Sequence, residues 1–262
     1  MDITSIIIAA AVVGVVGILA GILLGVASVK FKVEVNEKEI EVRNELPGIN
    51  CGACGYPGCD GLAEAIAKGE AKPGSCLVGG EPVATKIAAI VGGNVSVEKK
   101  VAYVKCKGNC EKAKEAYEYV GPKDCMIASN TPGGGAKGCS YGCLGFGNCK
   151  NACPFGAISI VDSIAVIDKE KCKGCESCVA ACPRHIIEMI PYEAKAVVGC
   201  NSHDAGKEVK MVCDAGCIGC GLCQKNCPNE AITVVDKLAK IDYNKCTGCG
   251  ICKEKCPVKI IN

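Results

Sequence analysis

The sequence predicts an α+β fold in which bound metal, rather than a large apolar core, holds several small modules together behind one amino-terminal helix. Three observations lead to this prediction. Cysteine occupies 25 of the 262 positions, while aromatic residues make up only 4% and tryptophan is absent. Residues 3–29 carry no charge. The carboxyl-terminal half repeats one cysteine-rich segment at a register of 74 residues, from Cys153 to Cys227.

The uncharged segment 3–29 is long enough to cross a bilayer, since about 20 apolar residues suffice. A cleaved signal peptide is the alternative, but no Lys or Arg precedes the run, which is also longer than the roughly 7–15 apolar residues of a signal peptide. Asp2 precedes the segment, and Lys30 and Lys32 follow it. The positive-inside rule therefore predicts a single-pass membrane anchor over residues 1–30, with the bulk of the chain on the cytoplasmic side.

A reducing compartment and tight C-x-x-C groups both favour metal ligation over disulfides. Residues 30–45 alternate charge with Val and Ile, which predicts a short strand or an extended linker. The first cysteine group follows in LPGINCGACGYPGCDGLAEAIAKGEAKPGSC, where a helix is expected over 61–68. Its members, spaced x2, x4 and x16, are Cys51, Cys54, Cys59 and Cys76. Four thiolates suit zinc or an iron–sulfur cluster, and the spacing alone leaves both open.

The stretch from 86 to 138 has a different character. It contains Cys106, Cys110 and Cys125, together with the helical pattern EKAKEAYEYV. Its GGGAKG run at 133–138 lacks the Lys-Ser/Thr pair of a phosphate-binding loop, so the run predicts a turn.

The duplication begins at residue 139. CPFGAISIVDSIAVIDKEKCKGCESCVAACPRHII, from Cys153, matches CPNEAITVVDKLAKIDYNKCTGCGICKEKCPVKII, from Cys227. The register extends back to Cys139, and one cysteine breaks it, because Cys220 is matched by Phe146. The runs AISIVD, IAVID, AITVVD and LAKID predict short strands, and a short helix is expected to begin after each third cysteine, as in VAACP.

The pattern C-x2-C-x2-C-x3-C-P, in which a proline follows the fourth cysteine, occurs three times. Its members are Cys172, Cys175, Cys178 and Cys182; Cys217, Cys220, Cys223 and Cys227; and Cys246, Cys249, Cys252 and Cys256. Three close thiolates can wrap three irons of a cubane, while the fourth, turned away at a helix start, ligates the neighbouring cluster. Zinc sites seldom use this run, so it indicates 4Fe-4S clusters.

These residues resemble the two-cluster bacterial ferredoxins, over about 139–187 and 213–261. The resemblance implies four clusters, of which three follow directly: Cys217, Cys220, Cys223 and Cys256; Cys246, Cys249, Cys252 and Cys227; and Cys172, Cys175, Cys178 and Cys153. The fourth cluster departs from the pattern because Phe146 occupies the position of its second cysteine ligand. We expect Cys139 to join Cys143, Cys149 and Cys182, the alternatives being a three-iron cluster or a ligand from elsewhere.

Five cysteines remain: Cys106, Cys110, Cys125, Cys200 and Cys213. We expect five clusters in the chain and, from these cysteines, a sixth. Its expected ligands are Cys106, Cys110 and Cys125 with either Cys200 or Cys213. The alternative is that they are buried free thiols.

The apolar helix, the LPGINCGACGYPGCDGLAEAIA segment and the tandem modules together resemble the B subunit of the Rnf complex, the ion-translocating ferredoxin:NAD oxidoreductase. The resemblance spans essentially the whole chain. It implies an electron-relay subunit of a translocase, which accepts electrons from soluble ferredoxin and passes them through 4Fe-4S clusters to other membrane and peripheral subunits. The expected units are an anchor over 1–30, a 4Fe-4S domain over 31–95, a cysteine-containing insert over 96–138, and ferredoxin modules over 139–190 and 191–262.

Other functions remain open at this level. They are electron delivery to a redox-sensing regulator, a membrane-tethered redox sensor or iron–sulfur store, and an accessory ferredoxin subunit of a hydrogenase or a corrinoid-linked enzyme. No substrate site is expected, because His185 and His203 lack a partner base or nucleophile and no dinucleotide fingerprint follows a strand. No nucleic-acid partner is expected either.

The stretch 86–150 has a net positive charge, which points to a docking surface. Six of its lysines are Lys99, Lys100, Lys105, Lys107, Lys112 and Lys114. Soluble ferredoxins are usually acidic, so we hypothesise that this basic stretch steers their docking, the alternative being a solvated helix face.

Overall fold

The computed structural model describes residues 3–30, 36–93, 95 and 98–262, without the side chains of residues 3–11, 28 and 29. It shows the predicted mixture of helices and strands. The helices are α1 (Ile3–Lys30), α2 (Glu37–Glu45), α3 (Gly58–Ala67), α4 (Gly80–Val91), α5 (Cys125–Ser129), α6 (Asn148–Asn151), α7 (Ser177–Ala180), α8 (Gly206–Val212), α9 (Leu222–Lys225) and α10 (Ile251–Lys255). The strands are β1 (Lys100–Val104), β2 (Ile158–Val161), β3 (Ile164–Ile167), β4 (Ile187–Pro191), β5 (Ile232–Val235) and β6 (Leu238–Ile241).

Helix α1 covers residues 3–30 of the predicted membrane anchor. Residues 1 and 2 of the anchor lie outside the described part of the chain, as do the side chains of residues 3–11, 28 and 29. The large apolar side chains that are described in it are exposed, Val13 at 72% and Leu23 at 69%. Among the helices of the described residues, none was found to be both long and apolar enough to cross a membrane. The single membrane pass therefore stays a prediction.

The amino-terminal lobe is helical. The expected strand or linker over 30–45 is wrong for residues 37–45, which form α2, and residues 31–35 lie outside the described part of the chain. The side chain of Asn36 accepts a hydrogen bond from the N–H of Lys38 at 3.1 Å and so caps the start of this helix. Val42 of α2 and Leu62 of α3 are fully buried against each other's helices, together with Ile87 of α4.

The duplicated modules each contain the predicted hairpin. Strand β2 pairs antiparallel with β3, Ile158 facing Ile167, and β5 pairs with β6, Ile232 facing Ile241. Both hairpins turn at two residues of positive φ, which the tight turn of a two-residue hairpin loop requires. The four expected strands are thus confirmed.

The third sheet was not predicted, and it joins the insert to the first module. Strand β1 pairs antiparallel with β4, Val101 facing Ile190. The helix expected from EKAKEAYEYV is wrong, because Ala113 and Glu115 form isolated β-bridges to Cys213 and Lys137 instead. These backbone pairings remove the segment's N–H and C=O groups from helical hydrogen bonding.

Cysteines form a large share of the buried cores. One core cluster contains six buried cysteines, and a second contains four, in each case among small and β-branched side chains. Thirteen of the 25 cysteines are buried, in places where chelated metal can replace apolar packing.

Candidate metal centres

The structure brings 23 of the 25 cysteines into six groups, one of three and five of four. Site 1 is Cys54, Cys59 and Cys76, to which the sequence motif adds Cys51; site 2 is Cys153, Cys172, Cys175 and Cys178; site 3 is Cys125, Cys143, Cys149 and Cys182; site 4 is Cys106, Cys139, Cys200 and Cys213; site 5 is Cys217, Cys220, Cys223 and Cys256; site 6 is Cys227, Cys246, Cys249 and Cys252. Among the described residues, no three His, Cys, Asp or Glu side chains are gathered tightly enough to hold a metal ion. The cysteines of sites 2, 3, 4 and 6 instead stand around cavities.

Site 1 is built on the loop before α3. Gly52, with φ of +70°, takes a left-handed conformation and lets the chain turn between the first two cysteines. Cys59 and Cys76 are each 8% exposed. Burial raises the pKa of the Cys76 thiol. The N–H of Gly79 donates a hydrogen bond to Cys76 Sγ at 3.3 Å and lowers this pKa, while the nearby charges of Cys59 and Cys54 raise it. These three thiols are therefore mutual neighbours.

Sites 2 and 6 have equivalent positions in the two modules, as the duplication predicts. Each receives a backbone hydrogen bond at sulfur: Ala102 donates to Cys172 Sγ at 3.5 Å, and Ala231 donates to Cys227 Sγ at 3.3 Å. Burial raises the pKa of the Cys178 thiol to about 11, with the neighbouring cysteines adding to the shift. N–H donors aimed at sulfur stabilise the thiolate form, which is the form that ligates iron.

Site 3 corrects the expected ligand set. Its cavity is lined by Cys143, Cys149 and Cys182 as expected, but the fourth cysteine is Cys125 from the insert and not Cys139. Burial raises the pKa of the Cys149 thiol to about 12, followed by the charges of Cys143, Cys182 and Cys125. Cys149 is thus surrounded by the other three thiols of site 3.

Local contacts explain why Cys125 reaches this site. Asn148, at the start of α6, accepts a hydrogen bond from the N–H of Cys125 at 2.8 Å and donates one to the Asp124 carboxylate at 2.8 Å. Phe146, which replaces the missing cysteine, packs on the ring of Tyr119 with centroids 5.5 Å apart. The position that the motif loses is therefore supplied by a residue 21 positions earlier in the chain.

Site 4 corrects the expected sixth set. Its cavity is lined by Cys106, Cys139, Cys200 and Cys213. Burial raises the pKa of Cys213, and the charges of Cys106 and Cys200 add to the shift. The expected inclusion of Cys110 and Cys125 is wrong, since Cys125 lies in site 3. Sequence spacing could not show this, because the four cysteines come from both modules and from the insert.

Site 5 gathers the cysteines that the ferredoxin resemblance implies. Burial raises the pKa of the Cys223 thiol to about 11, the N–H of Gln224 lowers it, and the charges of Cys217, Cys220 and Cys256 raise it. All four thiols are therefore close together in the second module.

Cys110 is the cysteine outside the six groups. It is exposed, and its backbone N–H donates to the carbonyl of Asp162 at 3.0 Å.

The donor chemistry of the six groups fits 4Fe-4S clusters. Each offers four thiols, and the cavities are lined mainly by apolar atoms and backbone. These are the ligands and the surroundings that hold cubane clusters in proteins.

The two histidines lie apart from this chemistry. His203 places Nδ1 3.1 Å from the carbonyl oxygen of Asp236 and packs edge-on against Tyr141. His185 takes a left-handed conformation, with φ of +49°, in the turn after Cys182.

The basic stretch is partly engaged within the chain. Lys105 forms an ion pair with Glu188 at 3.2 Å, and the amine of Lys107 contacts the side chain of Asn262. Lys99 lies over the ring of Tyr192, 3.5 Å from its centroid. These three lysines thus contact other side chains of the chain, and the docking surface stays a prediction.

Comparison with known proteins supports the cluster sites. An Fe-S cluster family matches residues 46–78, and two 4Fe-4S dicluster domain families match residues 139–183 and 216–260. These matches confirm the prediction of an amino-terminal iron–sulfur segment and tandem 4Fe-4S modules.

Three relatives match nearly the full chain. The B subunit of the Na(+)-translocating ferredoxin:NAD(+) oxidoreductase complex of Acetobacterium woodii is 45% identical over 92% of this chain and 73% of the relative. The B subunit of the ion-translocating oxidoreductase complex of Methanosarcina acetivorans is 43% identical over 90% of this chain and 89% of the relative. The B subunit of the proton-translocating ferredoxin:NAD(+) oxidoreductase complex of Clostridium ljungdahlii is 40% identical, over 88% and 82%.

Proposed function

Because the chain belongs to the family of B subunits of ion-translocating ferredoxin:NAD(+) oxidoreductase complexes, we propose that it is the electron-relay subunit of such a complex. It takes electrons from reduced ferredoxin and passes them to the other subunits. Membership of the family is what the sequence resemblance predicted. The six sites supply the positions at which electrons are held along the way.

A bound 4Fe-4S cluster exchanges one electron at a time, so a relay needs sites that adjoin one another. One cleft is lined by Cys172 of site 2, with Lys173 and Gly174, and by residues 77–82, which directly follow Cys76 of site 1 in the chain. Sites 2 and 3 adjoin through their motifs, because Cys178 and Cys182 share one run and Cys149 and Cys153 share another. Sites 1, 2 and 3 therefore follow one another.

Site 4 continues the series into the second module. The N–H of Cys143 in site 3 donates to Cys106 Sγ of site 4 at 3.4 Å. Burial raises the pKa of Cys200 in site 4, and the N–H of Cys217 in site 5 lowers it. Sites 5 and 6 adjoin in the same way as sites 2 and 3. We propose that electrons enter at the second module, which holds sites 5 and 6, and pass from site 5 along sites 4, 3, 2 and 1.

Within the six sites, the exposed cysteines lie towards the two ends of this series. Cys220 and Cys249 are exposed in the second module, and Cys51 is exposed in the amino-terminal lobe. Electrons therefore enter at the carboxyl-terminal module and leave from site 1, the site nearest in sequence to α1.

The observation that carries this proposal is site 4, because its cysteines come from the insert and from both modules. The test is the iron content of the purified full chain: six sites require about 24 irons, and five require about 20. A Cys200→Ser variant should lose about four irons and should leave the second module reducible by ferredoxin while site 1 stays oxidised. Reduction of site 1 at the normal rate in that variant would exclude the proposed order.

We propose further that α1 is the membrane anchor, with the rest of the chain on the cytoplasmic side. Its segment 3–29 carries no charge, and its described apolar side chains are exposed. Deleting residues 1–30 should release the chain from the membrane fraction with its iron retained. Retention of the truncated chain on membranes that lack the other subunits would contradict the anchor.

Ferredoxin docking is proposed for a smaller basic surface, formed by Lys107, Lys112 and Lys253 beside site 5. Burial lowers the pKa of Lys107, and the charges of Lys112 and Lys253 lower it further, so the three ammonium groups are neighbours. Reversing Lys112 and Lys253 to Glu should slow ferredoxin oxidation more at low salt than at high salt. Lys68, paired with Glu64 in the amino-terminal lobe, is the matched control, and Lys68→Glu should leave the rate unchanged.

A further inference from the structure

Site 3 has two cationic side chains at its edge that its duplicate, site 5, lacks. Lys137 lies in the GGGAKG run of residues 133–138, and Arg184 follows the Cys182-Pro183 pair. At the register of 74 residues, their counterparts are Met211 and Val258. At these two positions the duplication thus left cations beside site 3 and neutral side chains beside site 5.

Lys137 is buried between sites 3 and 4, at 8% exposure. Its ammonium donates to the carbonyl oxygens of Gly108 and Ser163, each at 2.8 Å. A Cβ on Gly108 would stand 3.2 Å from Cys213 Sγ in site 4, and a Cβ on Gly145 would meet the Ser163 carbonyl at the edge of site 3. The ammonium therefore bridges the walls of both sites.

Arg184 lines the cavity of site 3 directly. One terminal nitrogen donates to the carbonyl of Gly134, in the same glycine run that carries Lys137. Its Nε is buried and has no hydrogen-bond partner among the described residues. A buried N–H donor without an acceptor is costly, so an acceptor held in the cavity would satisfy it.

The charge balance leads to the same site. Among the described residues, no Asp or Glu carboxylate lies within ion-pair distance of Lys137 or Arg184. Burying a cation without a counter-charge is unfavourable. Four thiolates around an oxidised cubane carry a net negative charge, which supplies that counter-charge.

We propose that Lys137 and Arg184 raise the reduction potential of site 3 above that of site 5, so that site 3 is where an electron rests midway along the chain. The physical reason is that reduction adds one negative charge, which nearby buried cations stabilise. The electron comes from site 4 and leaves to site 2, so no further donor or acceptor is needed. This inference rests on the proposed relay and on a cluster in site 3.

The experiment is a redox titration of the full holoprotein followed by electron paramagnetic resonance. Cys125→Ser and Cys220→Ser identify the signals of sites 3 and 5 by their loss. In the unmodified chain, site 3 should be reduced at a higher potential than site 5. The reverse order, or equal potentials, would overturn the proposal. This result needs no substitution of Lys137 or Arg184.

Two neutral substitutions test the cause. Lys137→Gln keeps hydrogen-bond donors without the charge, and Arg184→Val installs the residue of the second module. Each should lower the potential of site 3 while iron content stays unchanged, and Lys150→Met, at an exposed lysine next to Cys149, should not. Unchanged site 3 potentials in both variants would overturn the role of the cations. An iron count that lacks site 3 would instead contradict the proposed function.

Discussion

Asn148 is the single residue on which the unusual site 3 most depends. Its side-chain oxygen accepts from the N–H of Cys125, and its amide donates to Asp124, so it ties α5 to α6. The Asp124 carboxylate also accepts from the N–H of Ile127, and these hydrogen bonds lower its pKa. One asparagine thus places a cysteine from the insert among three cysteines of a ferredoxin module.

Replacing Asn148 with Ala should destabilise this contact by about 1–3 kcal/mol, because it leaves the partly buried N–H of Cys125 without an acceptor. We expect faster loss of iron from site 3 than from site 2 on exposure to a chelator, measured from the decay of each site's paramagnetic signal. Asn151→Ala, at an exposed residue of the same helix, is the control and should leave both decay rates unchanged.

The ligand assignments make a second prediction at this scale. Cys125→Ser should remove or convert the cluster of site 3, whereas Cys110→Ser should keep the full iron content, because Cys110 lies outside the six groups. Iron per chain and paramagnetic spectra of the two variants check this. A loss of about four irons in Cys110→Ser would show that the groups are wrongly assigned.

At the scale of elements, β1 decides how the insert meets the first module. It pairs with β4, and its Ala102 donates to a sulfur of site 2. Gly174, in the cysteine loop of site 2, approaches this strand so closely that an added Cβ would stand 2.8 Å from the carbonyl of Lys100. The absence of a side chain at Gly174 therefore allows the strand to cover the site.

Gly174→Ala should consequently separate β1 from site 2. Gly250→Ala, in the second module, is the matched control, because it has a similar positive φ but nothing within 4 Å of the added Cβ. The control should lose only the free energy of unfolding that a left-handed alanine costs, about 1–2 kcal/mol. This loss should be measured as a lower midpoint of urea unfolding. Gly174→Ala should lower the midpoint further and should expose site 2 to chelator. Equal effects would show that the strand contact contributes nothing.

At the scale of the whole molecule, the cysteine sites take the place of a continuous apolar core. Ten buried cysteines lie in the two core clusters of the modules. Site 4 draws its cysteines from three parts of the chain, so a cluster bound there would link the insert and the two modules. The stability of the fold is therefore linked to the occupancy of its metal sites.

Removal of iron with a chelator should for this reason unfold both modules, while α2, α3 and α4, whose contacts are mostly aliphatic, lose less structure. Far-ultraviolet circular dichroism should show loss of the strand signal, and reconstitution with iron and sulfide should restore it. If the nuclear magnetic resonance signals of the modules kept their dispersion after iron removal, the link between fold stability and metal occupancy would be contradicted.

Much of this protein follows from local sequence. The cysteine motifs are short-range features, and with the ferredoxin resemblance they predict the groups of cysteines that lie together in sites 2, 5 and 6. The hairpins follow from β-branched runs around two-residue turns. The family resemblance also follows from the order of motifs along the chain.

Helix α2 and the strands β1 and β4 were not predicted, because their states depend on partners. Val42 of α2 is buried against α3, and β1 pairs with a strand that begins 83 positions after its last residue, where Val104 faces Ile187. Local pattern carries no information about such pairings.

The sequence by itself determined the cysteine count, the duplication and the family, because these are properties of spacing along the chain. Only the tertiary structure decided that Cys125 completes site 3, that Cys139 belongs to site 4, and that Lys137 and Arg184 flank one site and not its duplicate. The physical reason is that a cluster is held by thiols that meet in space. Residues far apart in sequence converge there through hydrogen bonds such as those of Asn148 and through strand pairing, which no single segment encodes.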